Sequence, residues 1–147
     1  MDSKKISEYT AVAIIIIALL IFAWEFTTRD VRFCRSALAA LVKGSITASK
    51  FIDWEQLDAT GFDVGSIYRR LANDQEKENY RNTFIQNFAL GFNYAKGDFG
   101  KFSNWRVLER KGTKVVVGAT YLVYNKTILF RLSKSPKTKI IAIEWMQ

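Results

Sequence analysis

The feature that most constrains this chain is an unbroken apolar run near its N-terminus, from Ala11 to Trp24. Taken from Tyr9 to Phe26, the stretch is 18 residues long, and only Thr10 and Glu25 interrupt it. A helix that crosses the hydrocarbon core of a bilayer needs about 20 apolar residues, within a range of about 17 to 25. Residues 14–17, all isoleucine, would cover every side of a helix, whereas a helix of a small globular domain keeps a polar face. The run therefore predicts a membrane-spanning helix.

The segment is interpreted as an uncleaved anchor. A cleaved signal peptide is the competing interpretation, but the residues that follow the run, Trp24, Glu25 and Phe26, do not form the small-residue site that such cleavage needs. We expect residues 1–27 to be the anchor and residues 28–147 to form one domain. The side chains expected to face the membrane are Tyr9, Ile14, Ile15, Ile16, Ile17, Leu19, Leu20 and Trp24, with the aromatic rings at headgroup depth.

The charges that flank the run bear on its orientation. The N-terminal side carries Lys4 and Lys5, and the other side carries Arg29, Arg32, Arg35 and Lys43. Counted alone, these charges place the domain in the cytoplasm, but tails longer than about 60 residues cross membranes largely regardless of charge. The tail after residue 26 has 121 residues (147 − 26). We therefore expect a single-pass protein of a bacterial inner membrane with its C-terminal domain in the periplasm.

The numbers of histidine and cysteine residues exclude several kinds of catalytic and metal site. The chain has no histidine, which excludes histidine acid–base catalysis, Ser-His-Asp and Cys-His nucleophiles and histidine-ligated metals. Its single cysteine, Cys34, can form neither an internal disulfide nor a cysteine-rich zinc site, and is interpreted as a small core residue rather than an acylation site. We predict a non-enzymatic protein without metal or cofactor.

The formal net charge of the chain is +8. Beyond the anchor, basic residues cluster at predicted strand ends and hairpins: Arg106, Arg110, Lys111, Lys114, Arg131, Lys134, Lys137 and Lys139. Most are interpreted as solvated surface, but a basic domain tethered beside a bilayer makes anionic lipid headgroups a candidate partner. Nucleic acid is the less favoured partner, because no binding motif accompanies the charge.

Helical spacing continues as far as about residue 95. Val31, Cys34, Leu38, Leu41 and Val42 recur on one face of a helix that is expected to end at a glycine, at position 44, and to be continuous with the anchor. A second helix is expected over about residues 47–57 and a third after residue 63, where an aspartate provides the cap. A fourth, capped by Asn73 or Asp74, carries an aromatic stripe: Tyr80, Phe84, Phe88 and Phe92.

From Phe102 onward the period changes to two. Four strands are predicted over residues 102–110, 113–124, 127–134 and 138–146, joined by short turns that favour an antiparallel meander. The second strand is apolar on both faces and is expected to lie centrally. The predicted fold class is α+β: a transmembrane helix, then three to four helices on one face of a curved four-stranded antiparallel sheet.

The order of elements resembles the NTF2-like (cystatin-like) fold, in which helices pack into the concave face of a bent antiparallel sheet. The resemblance lies in "ALAALVKGSITASKFIDWEQL", "YRNTFIQNFALGF" and "NWRVLERKGTKVVVGATYLV". That series also looks like the helix-rich half of periplasmic phospholipid carriers of the toluene-tolerance (Ttg2/MlaC) type. An anchor followed by such a domain resembles the VirB8-type components of type IV secretion machines. The resemblance covers residues 30–147 and implies a role in an envelope assembly or in binding an apolar ligand.

Three functions follow as hypotheses. The first is a non-enzymatic assembly module at the cell envelope, docking to other membrane or envelope proteins through its sheet face or exposed aromatic side chains. The second is a carrier of lipid or another apolar ligand in the cone between helices and sheet, lined by Trp54, Tyr68, Phe84, Phe88, Phe92, Trp105 and Tyr121; the competing interpretation is that these aromatics simply fill the core. The third is an isomerase or dehydratase with Asp53 as its base. Asp53 and Glu55 are about 200° apart on a helix, so they do not form an acid–base pair.

Overall fold

The computed structural model describes residues 3–147, and the side chains from Tyr9 onward. Lys4 and Lys5, which enter the orientation argument, lie outside the side chains described. The first element is one continuous helix, α1 (Ser3–Val42), which joins the apolar run to the amphipathic segment as predicted. The helix ends at Val42, two residues before Gly44, whose φ of +66° lies in the left-handed region that favours glycine.

The two halves of α1 have different surroundings. From Tyr9 to Phe26 the apolar side chains are exposed, and none of the most apolar part of the helix is buried against the rest of the described chain. From residue 30 onward one face is buried: Asp30, Cys34, Ala37, Leu38 and Leu41 are each at most 1% exposed. By length and composition, this helix can cross a membrane.

The remaining helices are short except for one. A 3₁₀ helix (Ile46–Phe51) is followed by α2 (Val64–Arg69) and α3 (Asp74–Tyr94). The predicted caps are confirmed, because Asp63 accepts a hydrogen bond from the Ser66 N–H at 2.9 Å and Asn73 accepts one from the Glu76 N–H at 2.9 Å. Both helices therefore begin where local side-chain chemistry indicated.

The predicted second helix over residues 47–57 is wrong. After the 3₁₀ turn, Ile52 pairs with Ile140 in parallel, and the Asp53 N–H donates to the Ile140 carbonyl at 2.9 Å. Trp54 and Leu57 are buried there, so the segment gains more by joining the sheet edge than by adding helical turns. Asp53 and Glu55 consequently lie in a turn and not on a helix.

The sheet has six strands and not four. The predicted meander is present as β3 (Phe102–Lys111), β4 (Lys114–Tyr121), β5 (Lys126–Ser133) and β6 (Lys139–Trp145), with β4 inside the sheet. Two further strands, β1 (Asp58–Ala59) and β2 (Phe62–Asp63), extend the other edge, and β1 runs parallel to β6. The order is β2-β1-β6-β5-β4-β3, so the sheet is mixed and the fold is α+β. Two-residue strands are too short to show a period in sequence.

The core lies between the sheet and the second half of α1, with α3 beside it. Phe130, Leu132, Ile140 and Val117 are fully buried from the sheet side, and Leu38 and Leu41 from the helix side. Register shifts in the β3–β4 and β5–β6 ladders bend the sheet around these helices.

Candidate functional site

The predicted pocket aromatics divide between core and surface recesses. Trp54, Tyr68 and Tyr121 are each at most 7% exposed and belong to the core, whereas the other four are partly buried against it. Trp105 stacks on Phe130, with ring centroids 5.9 Å apart, and lines none of the described cavities. The seven residues therefore do not surround one common cavity.

One mostly apolar recess of the domain is a groove between α3 and the β1–β2 edge of the sheet. Its volume is about 430 Å³, and its walls are Ala59, Thr60, Phe62, Tyr80, Thr83, Phe84, Asn87, Phe88 and Ile143. A second cavity of about 130 Å³, lined partly by Phe88, Phe92 and Tyr121, lies at the end of the sheet near the β4–β5 turn. Only the first has a size typical of small-molecule sites.

Asp53 lies away from both of these cavities. Its carboxylate accepts hydrogen bonds from the Glu55 N–H at 3.2 Å and from the Gln56 side chain at 2.9 Å, which closes the turn. It lines a separate recess of about 360 Å³ together with Trp54, Tyr68 and residues of the β5–β6 loop. The Tyr68 hydroxyl accepts a hydrogen bond from Arg81 at 2.5 Å.

A charged cluster that the sequence reasoning did not single out joins α1 to the sheet. Asp30, 1% exposed, has its Oδ1 2.9 Å from Lys134 Nζ and its Oδ2 2.8 Å from Arg110 Nη1. Lys134 donates a hydrogen bond, whereas Arg110 forms an ion pair by distance without a hydrogen bond to Oδ2. The Arg110 guanidinium also lies 5.0 Å from the centre of the Phe26 ring. We call Phe26, Asp30, Arg110 and Lys134 the junction cluster.

The helical spacing of the sequence already indicated that Asp30 would be buried. Asp30 precedes Cys34 by four residues and Ala37 by seven, so helical spacing places an acid on the buried face of α1. A buried acid requires cationic partners, but sequence cannot say which of the 22 Lys and Arg residues supply them.

Cys34 is fully buried next to this cluster. Burial raises the pKa of the Cys34 thiol, and the neighbouring Asp30 carboxylate raises this pKa further. The thiol therefore stays protonated at neutral pH, in keeping with a core residue rather than an acylation site.

Exposed apolar side chains gather at the opposite end of the sheet. The β4–β5 turn presents Leu122, Val123 and Tyr124, each more than half exposed, and the end of β6 presents Trp145 and Met146, at 41% and 48%. Tyr124 and Trp145 line the same 130 Å³ cavity. We call these five residues the distal rim. The rim lies about 23 Å from the junction cluster. This distance is the length of β4, which runs seven residue steps from Lys114 to Tyr121 at about 3.3 Å per residue.

The outer face of the sheet is not an exposed apolar surface. Val116, Leu129 and Ala142 on that face are each at most 9% exposed, and an ion pair between Arg131 and Glu144, at 2.7 Å, lies beside them. Outside the apolar segment of α1, the distal rim is one apolar surface open for docking, and further exposed apolar side chains such as Phe62 and Leu90 lie elsewhere on the domain.

Comparison of the chain with protein-family models, with curated proteins and with solved structures finds no match. The resemblance to NTF2-like, VirB8-type and toluene-tolerance-type proteins accordingly stays a hypothesis based on the order of elements.

Proposed function

We propose that this protein is a membrane-anchored, non-enzymatic module that mediates protein–protein assembly at the cell envelope. The observation that carries the proposal is the placement of an exposed apolar helix segment and an exposed apolar rim at opposite ends of one packed domain. A patch of exposed apolar side chains at a distance from the membrane is typical of a protein interaction site.

The continuity of α1 supports a permanent anchor. Residues 34–42 of this helix supply five side chains to the core, and the same helix contains the apolar segment without a break. We propose that residues 9–26 span the bacterial inner membrane once and that the domain lies in the periplasm.

The orientation can be tested with an introduced cysteine. Cys34 is buried, so we expect the native thiol to remain unlabelled. Glu78, on the exposed side of α3, can be changed to cysteine. A membrane-impermeant maleimide is expected to label Glu78→Cys in intact cells. Labelling only after lysis would place the domain in the cytoplasm.

The assembly role can be tested by site-specific photocrosslinking in native membranes. A photoreactive amino acid at Val123, in the distal rim, is expected to give a discrete adduct with another protein. The matched control is the same amino acid at Gln86, which is exposed on α3. The double change Leu122→Ser with Val123→Ser should abolish the partner's co-purification. Equal crosslinking at both positions, or none at either, contradicts the proposal.

A second candidate function, binding of a lipid or another apolar ligand, is favoured by the 430 Å³ groove. A diazirine-labelled fatty acid, photolysed with the full chain in membranes, should then label peptides around Tyr80–Phe88, and Thr83→Trp should remove that label by filling the groove. Labelling confined to the apolar segment of α1 would indicate membrane contact alone. The third hypothesis, an isomerase or dehydratase, is the least favoured: Asp53 lines a recess with Tyr68, but its carboxylate already accepts two hydrogen bonds that close a turn.

A further inference from the structure

The end of the sheet from which the apolar segment of α1 emerges is a compact basic surface. In the β3–β4 hairpin, Lys111 and Lys114 lie opposite each other in the backbone ladder. The backbone N–H of Lys134 donates to the Thr113 carbonyl at 2.8 Å. The junction cluster fixes both the hairpin and the β5–β6 loop against α1 at Asp30. Backbone pairing and a buried ion pair therefore hold these cations beside the helix.

The charge of this end is strongly one-sided. The described segments that meet here, residues 25–32, 109–114 and 133–138, contain seven Lys and Arg and three Asp and Glu, a balance of +4. Of the three acids, Asp30 is neutralised by Arg110 and Lys134, and Glu25 pairs with Arg32. Among the described residues, the third acid, Glu109, and four cations, Arg29, Lys111, Lys114 and Lys137, form no ion pair, so three net positive charges can attract an anion from outside the protein.

A recess opens within this surface. It has a volume of about 460 Å³, and Arg29, Lys134 and Lys137 lie around it together with the ring of Phe33. Asp30 also lines it, but both its carboxylate oxygens face the cations described above. Arginine and lysine are the side chains that bind phosphate most strongly, and an aromatic wall suits the less polar part of a headgroup. We call this cavity the headgroup recess.

The depth of the recess follows from helix geometry. At a rise of about 1.5 Å per residue, Arg29 lies about 4.5 Å beyond Phe26 along α1. Each headgroup layer of a bilayer is about 5 to 7 Å thick, the difference between a total of about 40–45 Å and a hydrocarbon core of about 30 Å. With residues 9–26 in the core, the recess lies at the level of the lipid phosphates.

We propose that the headgroup recess binds the phosphate of an anionic phospholipid in the leaflet next to the domain. The inference rests on the proposed membrane anchoring and adds a specific lipid partner to it. Bound lipid would hold the domain in one orientation on its anchor, with the distal rim directed away from the bilayer.

The test compares lipid selectivity in reconstituted membranes. The full chain is placed in phosphatidylcholine bilayers that contain a trace of spin-labelled phosphatidylglycerol or spin-labelled phosphatidylcholine, and the fraction of motionally restricted label is measured for each. Each basic residue near an anionic lipid changes the association by about fivefold. We expect a several-fold preference for phosphatidylglycerol, lost in the double variant Arg29→Gln with Lys137→Gln.

The matched control removes two charges from the other end of the sheet. Lys101 and Lys126 are exposed there, and changing both to glutamine should leave the preference intact. Arg29 and Lys137 are chosen for the test variant because neither pairs with Asp30, so the junction cluster survives. An equal loss in both double variants would show that net charge alone attracts the lipid, and would overturn the proposal.

Two further experiments distinguish a failure of the anchoring, a failure of lipid binding and binding of a soluble phosphate. If the chain is extracted from native membranes by alkaline carbonate, the anchoring itself is wrong; if it is retained but shows no lipid preference, only the headgroup recess is wrong. Titration of inorganic phosphate into the protein in pure phosphatidylcholine bilayers identifies a soluble ligand. Saturable phosphate binding that Arg29→Gln with Lys137→Gln removes, without any lipid preference, overturns the assignment to lipid.

Discussion

At the scale of single residues, Asp30 has the most consequences for the fold. It is 1% exposed and contacts one cation from β3 and one from the β5–β6 loop, 80 and 104 positions further along the chain. A buried charge is tolerated only when opposite charges surround it, so the ion pairs specify where the β3–β4 hairpin and the β5–β6 loop meet α1. The same residue raises the pKa of the Cys34 thiol beside it.

Removal of this charge is expected to destabilise the domain. Asp30→Asn leaves Arg110 and Lys134 without their counter-charge, and we expect a loss of about 3 kcal/mol in the free energy of unfolding, near the low end for a broken buried pair because both cations retain some solvent contact. The control is Glu144→Gln at the exposed pair with Arg131, for which less than about 1 kcal/mol is expected. Denaturation of the full chain in detergent, followed by tryptophan fluorescence, measures both. Similar losses in the two variants would contradict the role of Asp30.

A second residue-scale prediction concerns pH. The Ser66 side chain and then its backbone N–H donate to the Asp63 carboxylate and lower its pKa below the usual 3.8. A lowered pKa in the folded state means that the ionised cap stabilises the fold above the unfolded pKa and that this contribution is lost as the pH falls through the folded pKa. Asp63→Asn keeps an acceptor without a charge. The wild-type advantage over this variant should be present at pH 6 and shrink below pH 3.8; an advantage unchanged by pH would argue against the ionised cap.

At the scale of elements, the position of α2 depends on how closely it approaches the chain before β1. The Gly65 N–H donates to the Leu57 carbonyl at 2.9 Å, and a Cβ at this glycine would overlap the backbone carbonyl of Glu55. The Arg69 side chain donates to that same carbonyl. Close backbone approach, not helix propensity, therefore requires glycine at position 65.

Two glycine-to-alanine changes should have opposite effects on stability. Gly65→Ala forces the segment around Glu55 to move and is expected to cost about 2 kcal/mol, typical of overpacking. Gly91→Ala, in the exposed part of α3 where nothing lies within 4 Å of the new Cβ, is expected to stabilise by about 0.5–1 kcal/mol. Thermal denaturation of the two variants under the same conditions gives the sign of each effect. Stabilisation by Gly65→Ala would mean that α2 does not lie where the structure places it.

At the scale of the whole molecule, the two halves of α1 belong to different environments. Among the described residues, the apolar side chains of this segment are exposed, while Phe26 approaches Arg110 and Glu25 pairs with Arg32 at its domain end. The fragment of residues 28–147, which retains Asp30 and the buried face of α1, should therefore fold in water without detergent. Cooperative melting in circular dichroism, with helix and strand signals lost together, is the expected result. A fragment that aggregates or melts without a transition would show that residues 1–27 are part of the domain.

The sequence alone determined the features that depend on local chemistry or on a repeated spacing. These features are the apolar run, the buried face of α1, the caps at Asp63 and Asn73 and the four-strand meander. Each comes from residues close together in the chain, so its period or its hydrogen bonds could be predicted.

The tertiary structure decided the rest. Residues 47–57 do not form the predicted helix, because Ile52 pairs with Ile140 at the edge of the sheet. The two-residue strands form because they pair with neighbouring strands. The partners of Asp30, the headgroup recess and the distal rim unite residues from distant segments, and their contacts depend on long-range packing that no local pattern encodes.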